Sequence, residues 1–210
     1  MKNHLNLIDE ISKLREESVL ILIAKKGMSS MELETIKHWL LEDKDIGYIL
    51  ELTAHLNLND CWVCAGTIRN FIWNCLSGKM VFDPNTDIDI VFFDTSISYE
   101  ETILIEQQMK RDYPKYQWEV KNQVYMHIHN PHTSPYKSAK DAISKFPETC
   151  TAIAARLNNQ GQLEMFCPYG LVDLLSFKVI PAPYFLEDAE RMESYKNECA
   201  KRTGKKSGHN

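Results

Sequence analysis

The sequence predicts an α/β (α+β) protein in which helices pack against a small, mixed, twisted sheet, with a helical region before it. Residues 88–93, which are apolar except for Asp89, predict a buried strand, and residues 115–121 alternate between apolar and polar side chains as a half-buried strand does. The run Asn-Asn-Gln-Gly at 158–161 predicts a hairpin turn between strands over 149–157 and 163–167.

Helical periodicity supplies the other elements and the domain organisation. Apolar residues recur at helical spacing in several segments, which are 4–24, 31–41, 45–56, 67–76, 99–111, 171–179 and 186–201. We expect one compact unit, made of a helical region that packs on the core, the core, a C-terminal helix and a disordered basic tail; these span 1–59, 60–185, 186–200 and 201–210.

Composition limits the classes of function. The chain has 210 residues, 44% of them hydrophobic, which is enough for one sizeable core. Its net charge of −5 disfavours nucleic acid as a primary partner. No apolar run approaches the roughly 20 residues that cross a bilayer, and the first ten residues lack the apolar centre of a signal peptide. We therefore expect a cytoplasmic protein with no membrane partner, whose six cysteines stay reduced.

Two carboxylates open the strand over residues 88–93. Asp87 and Asp89 are separated by one residue, so their side chains leave the same face of a strand. Like charges held this close repel unless a cation neutralises them, and oxygen ligands suit a hard divalent ion. The alternative is a polar turn, Asp-Pro-Asn-Thr-Asp at 83–87, that only leads into the strand.

The segment before the acid pair favours the metal site over the turn. Gly66 and Thr67 lie where a strand ends and a helix begins. Glycine lets a ligand approach the backbone, and the free N–H groups of a helix start can hold a phosphate. A phosphate cradle beside an acid pair predicts a site for a metal-bound triphosphate.

Five segments together resemble a known family. They are AGTIRN at 65–70, TDIDIVFFD at 86–94, WEVKNQVYMH at 118–127, PYKSAKDAISKFPETCTAIAAR at 135–156 and PYGLVDLLSFKVIP at 168–181. In order and content the chain resembles the polymerase-beta-type nucleotidyltransferase superfamily and, within it, a bacterial family of nucleotidyltransferase-like proteins. Two departures are Thr67, where Gly or Ser is usual, and a longer gap between Thr67 and Asp87.

The resemblance implies metal-dependent transfer of a nucleoside monophosphate from an NTP to an unknown acceptor, with release of pyrophosphate. Asp87 and Asp89 would hold Mg²⁺ or Mn²⁺, and a third superfamily carboxylate points to Glu119, which could equally be a solvated edge residue. Gly66 and Thr67 would bind phosphates. Candidates for further nucleotide or substrate contacts are Arg69, Asn70, Lys121, Asn122 and His127; for Arg69 a surface ion pair is the alternative.

Two other functions stay open at this stage. Glycosyltransferases also use D-x-D to hold a metal and a nucleotide sugar, although they do not require the Gly-Thr helix opening. A non-catalytic binding protein on the same scaffold would be supported by a distant Glu119.

The cysteines and histidines give weaker signals. Cys61 and Cys64 form a C-x-x-C pattern, but a redox or zinc site needs the two thiols to converge, and residues three apart on a strand point to opposite faces. Alternation puts His127 and His129 on one face, near His132, which is compatible with a transition-metal site.

Overall fold

The computed structural model describes residues 30–79 and 82–204, with side chains up to residue 201. The predicted helix over 4–24, part of the loop before Asp87 and tail residues 205–210 lie outside this description. The chain divides into two compact units, and the boundary lies between His38 and Trp39. Residues 30–42 are helical (α1), and the unit that begins at Trp39 contains the sheet and every other element.

The sheet has five strands in the order β3-β2-β1-β4-β5. Their bounds are Trp62–Cys64 (β1), Asp87–Phe92 (β2), Gln117–Asn122 (β3), Ala154–Leu157 (β4) and Leu163–Phe166 (β5). β1 pairs antiparallel with both β2 and β4, β4 pairs antiparallel with β5, and β2 pairs parallel with β3. The sheet is therefore mixed, as the sequence predicts.

In the part of the chain that the structure describes, seven α-helices follow α1. They are Lys44–His55 (α2), Ala65–Leu76 (α3), Tyr99–Asp112 (α4), Ala139–Ile143 (α5), Val172–Leu175 (α6), Pro183–Leu186 (α7) and Ala189–Gly204 (α8). A capping box between Ser98 and Glu101 begins α4, which connects the parallel strands β2 and β3. None of the described helices is long and apolar enough to cross a membrane.

Several predicted bounds are wrong. The strand predicted over 149–157 is confined to β4, because Thr151 and Ala152 donate their N–H groups to the Glu148 carbonyl and so form a turn. The helix predicted over 171–179 is the single turn α6. Residues 201–204, predicted as disordered, continue helix α8.

Core residues cover both faces of the sheet. On one face Trp62, Cys64, Val91 and Ala154 form a cluster with α5, and we call it the α5 face. The opposite face is lined by apolar side chains that are at most 1% exposed, namely Val63, Ile88, Ile90, Trp118 and Val120. Because side chains alternate along β2, Asp89 lies on the α5 face, two residues from Val91.

Candidate active site

Three carboxylates meet on the α5 face, where β2 and β3 begin. Asp89 pairs with Glu119 across the parallel β2–β3 ladder, and Asp87 precedes Asp89 by two residues. Neighbouring strands lie about 4.8 Å apart, and residues in register share a face. Asp87 and Glu119 are exposed, whereas Asp89 is half-buried. The structure thus brings together all three predicted acids.

Thr67 of α3 forms hydrogen bonds with the backbone at the start of β2. Its hydroxyl donates a hydrogen bond to the carbonyl of Asp87 (2.9 Å) and accepts one from the N–H of Asp89 (2.7 Å). The Thr67 side chain is completely buried. Its hydroxyl therefore faces the strand, contrary to the expectation that it would bind a phosphate.

Gly66 holds the side chain of Asp89. Its N–H donates to Asp89 Oδ2 over 3.0 Å, and a Cβ placed on Gly66 would lie 3.1 Å from the same oxygen. The N-cap residue of α3, Cys64, makes no side-chain capping bond, so Asp89 takes over part of that role. The predicted phosphate cradle is thus partly filled by the protein's own carboxylate. The left-handed turn into α3 is made by Ala65, with φ +50°.

Burial and neighbouring negative charge change the acidity of Asp89. Burial is the larger cause, Glu119 comes next and Asp87 also contributes, and together they raise the pKa of Asp89 from 3.8 to about 6. Hydrogen bonds from the backbone of Thr67 and Gly66 act in the opposite direction. An acid whose pKa is raised partly by two other acids lies in a locally uncompensated negative field.

The donor set fits a hard divalent cation, because carboxylate oxygens are the ligands that Mg²⁺ and Mn²⁺ prefer. Within residues 30–79 and 82–204, no three His, Cys, Asp or Glu side chains already form a metal-binding group. Asp87 and Glu119 have exposed side chains, which leaves their carboxylates free to turn toward an ion.

A cavity of about 350 Å³ adjoins two of the acids. Asp87 and Glu119 line it together with Lys110, Pro114, Tyr116, Gln117 and Trp118. This volume falls at the small end of the range for small-molecule sites. Lys110 was missed at the sequence level, because only the crossover through α4 carries it to the start of β3.

Comparison with known proteins agrees with this geometry. A family model described as nucleotidyltransferase matches residues 51–207, about three-quarters of the chain. The chain belongs to the nucleotidyltransferase family. A solved structure titled "The NMR structure of the protein reveals a CCA-adding enzyme head domain" is 51% identical, with a TM-score of 0.76, over 80% of this chain and 88% of that one. A search of the curated proteins finds no match.

These findings confirm the family and fold that the motifs predict for this nucleotidyltransferase, and they give no support to a glycosyltransferase. Glu119 lies opposite Asp89, so the distant Glu119 that would have favoured a non-catalytic protein is not observed.

Two predicted nucleotide contacts in α3 differ in availability. Arg69 pairs with Glu148 at 3.3 Å, and the Glu148 side chain is only 3% exposed. Arg69 also lies 5.0 Å from the centre of the Trp73 ring. It is therefore held in an internal ion pair, and not in the surface pair considered as its alternative. Asn70 accepts from Arg69 through Oδ1, while its Nδ2 lies 3.9 Å from the Cβ position of Gly66, on the side of the acids.

Lys121 is also already paired. Its Nζ lies 3.0 Å from Glu106 Oε2, and the same oxygen accepts the N–H of Val120 over 2.9 Å. Glu106 therefore accepts a hydrogen bond from a backbone N–H group on the edge of β3 and neutralises Lys121. The second oxygen of Glu106 pairs with Lys110 at 2.6 Å.

Asn122, another predicted contact, lies away from the acids. Asn122 pairs with Phe92 at the far end of β2, about 16 Å along the strand from Asp87. Asn122 is fully buried, and its amide donates to the carbonyls of Asp94 and Ile97. Its role is to hold the loop between β2 and α4, so we withdraw it as a substrate contact.

The histidines and cysteines do not form the sites that were considered for them. Residues Met126–His129 form a 3₁₀ turn, so the strand alternation expected for His127 and His129 is wrong. His132 pairs with Asp188 at 2.8 Å. None of the six cysteines, which all lie in the described part of the chain, forms a disulfide. Burial raises the pKa of Cys61 to about 12 and that of Cys64 well above its usual value, which disfavours reactive thiolates.

Proposed function

We propose that this protein catalyses metal-dependent transfer of a nucleoside monophosphate from an NTP to an acceptor hydroxyl. The acceptor hydroxyl releases its proton to solvent as its oxygen forms a bond to the α-phosphorus, the bond from the α-phosphorus to the oxygen that bridges it to the β-phosphorus breaks, and pyrophosphate leaves. The observation that carries the proposal is the cross-strand pairing of Asp89 with Glu119, beside Asp87, with the pKa of Asp89 raised to about 6.

Asp87, Asp89 and Glu119 would hold Mg²⁺ or Mn²⁺. When bound, such ions supply charge neutralisation at the triphosphate and a lowered pKa at the acceptor hydroxyl. The uncompensated negative charge at Asp89 supports this assignment, because a cation bound there would relieve it. The acids also orient the reacting groups, which is the larger part of catalysis in phosphoryl-type transfer.

Other residues of the site would act on the nucleotide. The Asn70 amide lies on the side of Gly66 and Asp89 and can donate to a phosphate or a sugar oxygen. Lys110 lines the cavity with Asp87 and Glu119 and can contribute positive charge to the triphosphate if it leaves Glu106. Lys121, bound to Glu106, is a weaker candidate for this role than the sequence indicates.

The acceptor is either a nucleic-acid end or a hydroxyl of a small molecule or protein. The similarity to a CCA-adding enzyme head domain supports a nucleic-acid end. The net charge of −5 supports a small molecule or a protein hydroxyl. Incubation with α-labelled NTPs separates these classes, with a short single-stranded RNA carrying a free 3′ hydroxyl in one arm and small hydroxyl compounds in the other.

The decisive experiment is calorimetric titration of each of the four NTPs into the full chain, with Mg²⁺ and with a chelator. We expect binding that requires Mg²⁺ and that the double variant Asp87→Asn/Asp89→Asn loses. Both substitutions preserve side-chain shape, so circular dichroism should be unchanged. Wild-type protein that binds no NTP at millimolar concentration would reject the proposal and leave a non-catalytic role on the same scaffold.

A further inference from the structure

The Thr67 hydroxyl has a role that the sequence does not indicate. We infer that Thr67 is a positioning residue: it sets the spacing of the Asp87 and Asp89 carboxylates by holding the β2 backbone between them, and it does not bind the triphosphate. That the two carboxylates bind a metal rests on the proposed function. The contact between Thr67 and the β2 backbone is observed in the structure.

Strand β1 is too short to pair with the start of β2. In the β1–β2 register Trp62 pairs with Val91 and Val63 with Ile90, so the next position would place Cys64 opposite Asp89. β1 ends at Cys64, and the chain turns into α3 at Ala65. Because the β1–β2 pairing stops at Val63 and Ile90, the Asp87 carbonyl and the Asp89 N–H on that side of β2 lie beyond the end of the β1–β2 ladder.

Thr67 provides the missing partner. One hydroxyl donates to the Asp87 carbonyl at 2.9 Å and accepts from the Asp89 N–H at 2.7 Å, which reproduces the pair of bonds that a strand would make. The bridged backbone segment is the one that separates the two carboxylates. Gly66 then holds the carboxylate of Asp89 itself at 3.0 Å.

The same contacts exclude a direct phosphate contact from this hydroxyl. A threonine hydroxyl has one proton to donate, and that proton is used on the Asp87 carbonyl. The side chain is 0% exposed, so a phosphate oxygen could reach it only after β2 and α3 separate. Loss of the hydroxyl should therefore weaken metal binding before any nucleotide is present.

The test compares Thr67→Ser with Thr67→Ala in the full chain. Both variants lose the γ-methyl group and differ only in the hydroxyl. The matched control is the same pair at Thr53, which is 3% exposed and donates its hydroxyl to the Ile49 carbonyl within α2. Two quantities are measured for each variant, namely amide hydrogen exchange at Asp89 and the dissociation constant of Mn²⁺ without nucleotide.

We expect Thr67→Ala to speed exchange of the Asp89 amide at least tenfold, since a buried hydrogen bond protects it. The Mn²⁺ dissociation constant should rise about 10- to 100-fold, as for residues that orient metal ligands. Thr67→Ser should stay within about threefold of wild type in both measurements, and neither Thr53 variant should change them. If Thr67→Ala does not fold, Thr67→Val, which preserves side-chain volume, replaces it.

Two results would overturn the inference. One is unchanged exchange of the Asp89 amide in Thr67→Ala. The other is wild-type Mn²⁺ affinity in that variant together with a raised KM for the NTP, which would identify the hydroxyl as a phosphate ligand. Failure of the proposed function looks different: wild-type protein would bind neither Mn²⁺ nor NTP, while the Asp89 exchange rates would still decide the role of the hydroxyl.

Discussion

Acidic side chains on the two sides of β3 have opposite electrostatic environments. At the edge facing α4, Glu106 contacts Lys110, Lys121 and the Val120 N–H, and the pKa of Glu106 is lowered because these contacts outweigh its partial burial. On the side facing β2, Asp89 has acidic neighbours, and its pKa is raised to about 6. Burial raises the pKa of both acids, and it is the largest cause at Asp89, but only at Glu106 do cations and donors outweigh it.

The contrast extends to other acids. Asp45 is bound by Lys115 and Tyr116, Asp141 by Lys145 and Glu164 by Arg156, and each has a lowered pKa. The fold thus supplies donors or cations to carboxylates whose role is structural. At Asp89 it supplies two backbone groups and adds two further acids. Local excess charge of this kind is typical of a site that is completed by a ligand.

The largest expected effect comes from neutralising a carboxylate of the candidate site, in comparison with neutralising one at the outer edge of β3. Glu119→Gln removes a candidate metal ligand and should lower nucleotidyl transfer by roughly 10²–10³-fold, the range found when a charge-stabilising group is lost. Glu106→Gln removes a charge of the same type from the edge and should leave the rate within about threefold. Steady-state rates at saturating Mg²⁺ measure both. Equal losses of activity in the two variants would show that the two carboxylates do not differ in function.

A buried ion pair tests the structural side of the contrast. Glu148→Gln removes the buried negative charge opposite the Arg69 guanidinium and should lower the free energy of unfolding by about 3 kcal/mol. Glu164→Gln also breaks an arginine pair, but the Glu164 side chain is 39% exposed, so we expect less than about 1 kcal/mol. Urea unfolding at pH 7 compares them. A smaller loss at Glu148 than at Glu164 would contradict this ranking.

The sequence predicts part of the site well, because period-two alternation is local. It places Asp87 and Asp89 on one face, and the structure agrees. Alternation also places Glu119 on the correct face of its strand, but it does not identify Asp89 as the residue beside it. Only the parallel register, set by the crossover through α4, places it opposite Asp89.

Sequence reasoning fails where a side chain has a distant partner. Arg69, Lys121 and Asn122 look like available polar groups, yet their partners lie 79, 15 and 28 residues away in the chain. Thr67 stands at the superfamily motif position where Gly or Ser is usual, but its hydroxyl is used by β2, 20 residues later. Motif position thus predicts the neighbourhood of a residue, whereas the fold decides whether its polar atoms are free.

A pH dependence distinguishes Asp89 from a paired aspartate. Because its folded pKa is raised, Asp89 favours the folded state below about pH 3.8, and that contribution is lost as the pH rises through about 6. Asp89→Asn removes the penalty of the charged form and should stabilise the protein by about 2–3 kcal/mol above pH 7, with the gain disappearing toward pH 4.

The control substitution is Asp45→Asn, whose effect has the opposite sign. The pKa of Asp45 is lowered, chiefly by Lys115, so its contribution is present above its unfolded pKa and is lost as the pH falls through the folded pKa. Its replacement should cost up to about 1 kcal/mol at pH 7, given partial exposure. Urea unfolding at pH 4 and 7.5 measures both variants. Destabilisation by Asp89→Asn at pH 7.5 would show that the carboxylate is compensated within the protein.

The smallest expected effect concerns two helical glycines. Gly47 lies in α2, where a Cβ would make an ordinary 3.4 Å contact with the Leu41 carbonyl. Gly47→Ala should stabilise the protein by about 0.5–1 kcal/mol, because alanine loses less conformational freedom in a helix, and it should leave Mn²⁺ binding unchanged.

At Gly66 the same substitution meets the carboxylate of Asp89. A Cβ 3.1 Å from Oδ2 must displace that oxygen by a few tenths of an ångström or weaken its bond to the Gly66 N–H. We expect Gly66→Ala to weaken Mn²⁺ binding about tenfold, with little change in the free energy of unfolding because the helical gain offsets the strain. Wild-type Mn²⁺ affinity in this variant would mean that Asp89 does not need to be held by α3, and that Gly66 serves only the packing of the turn.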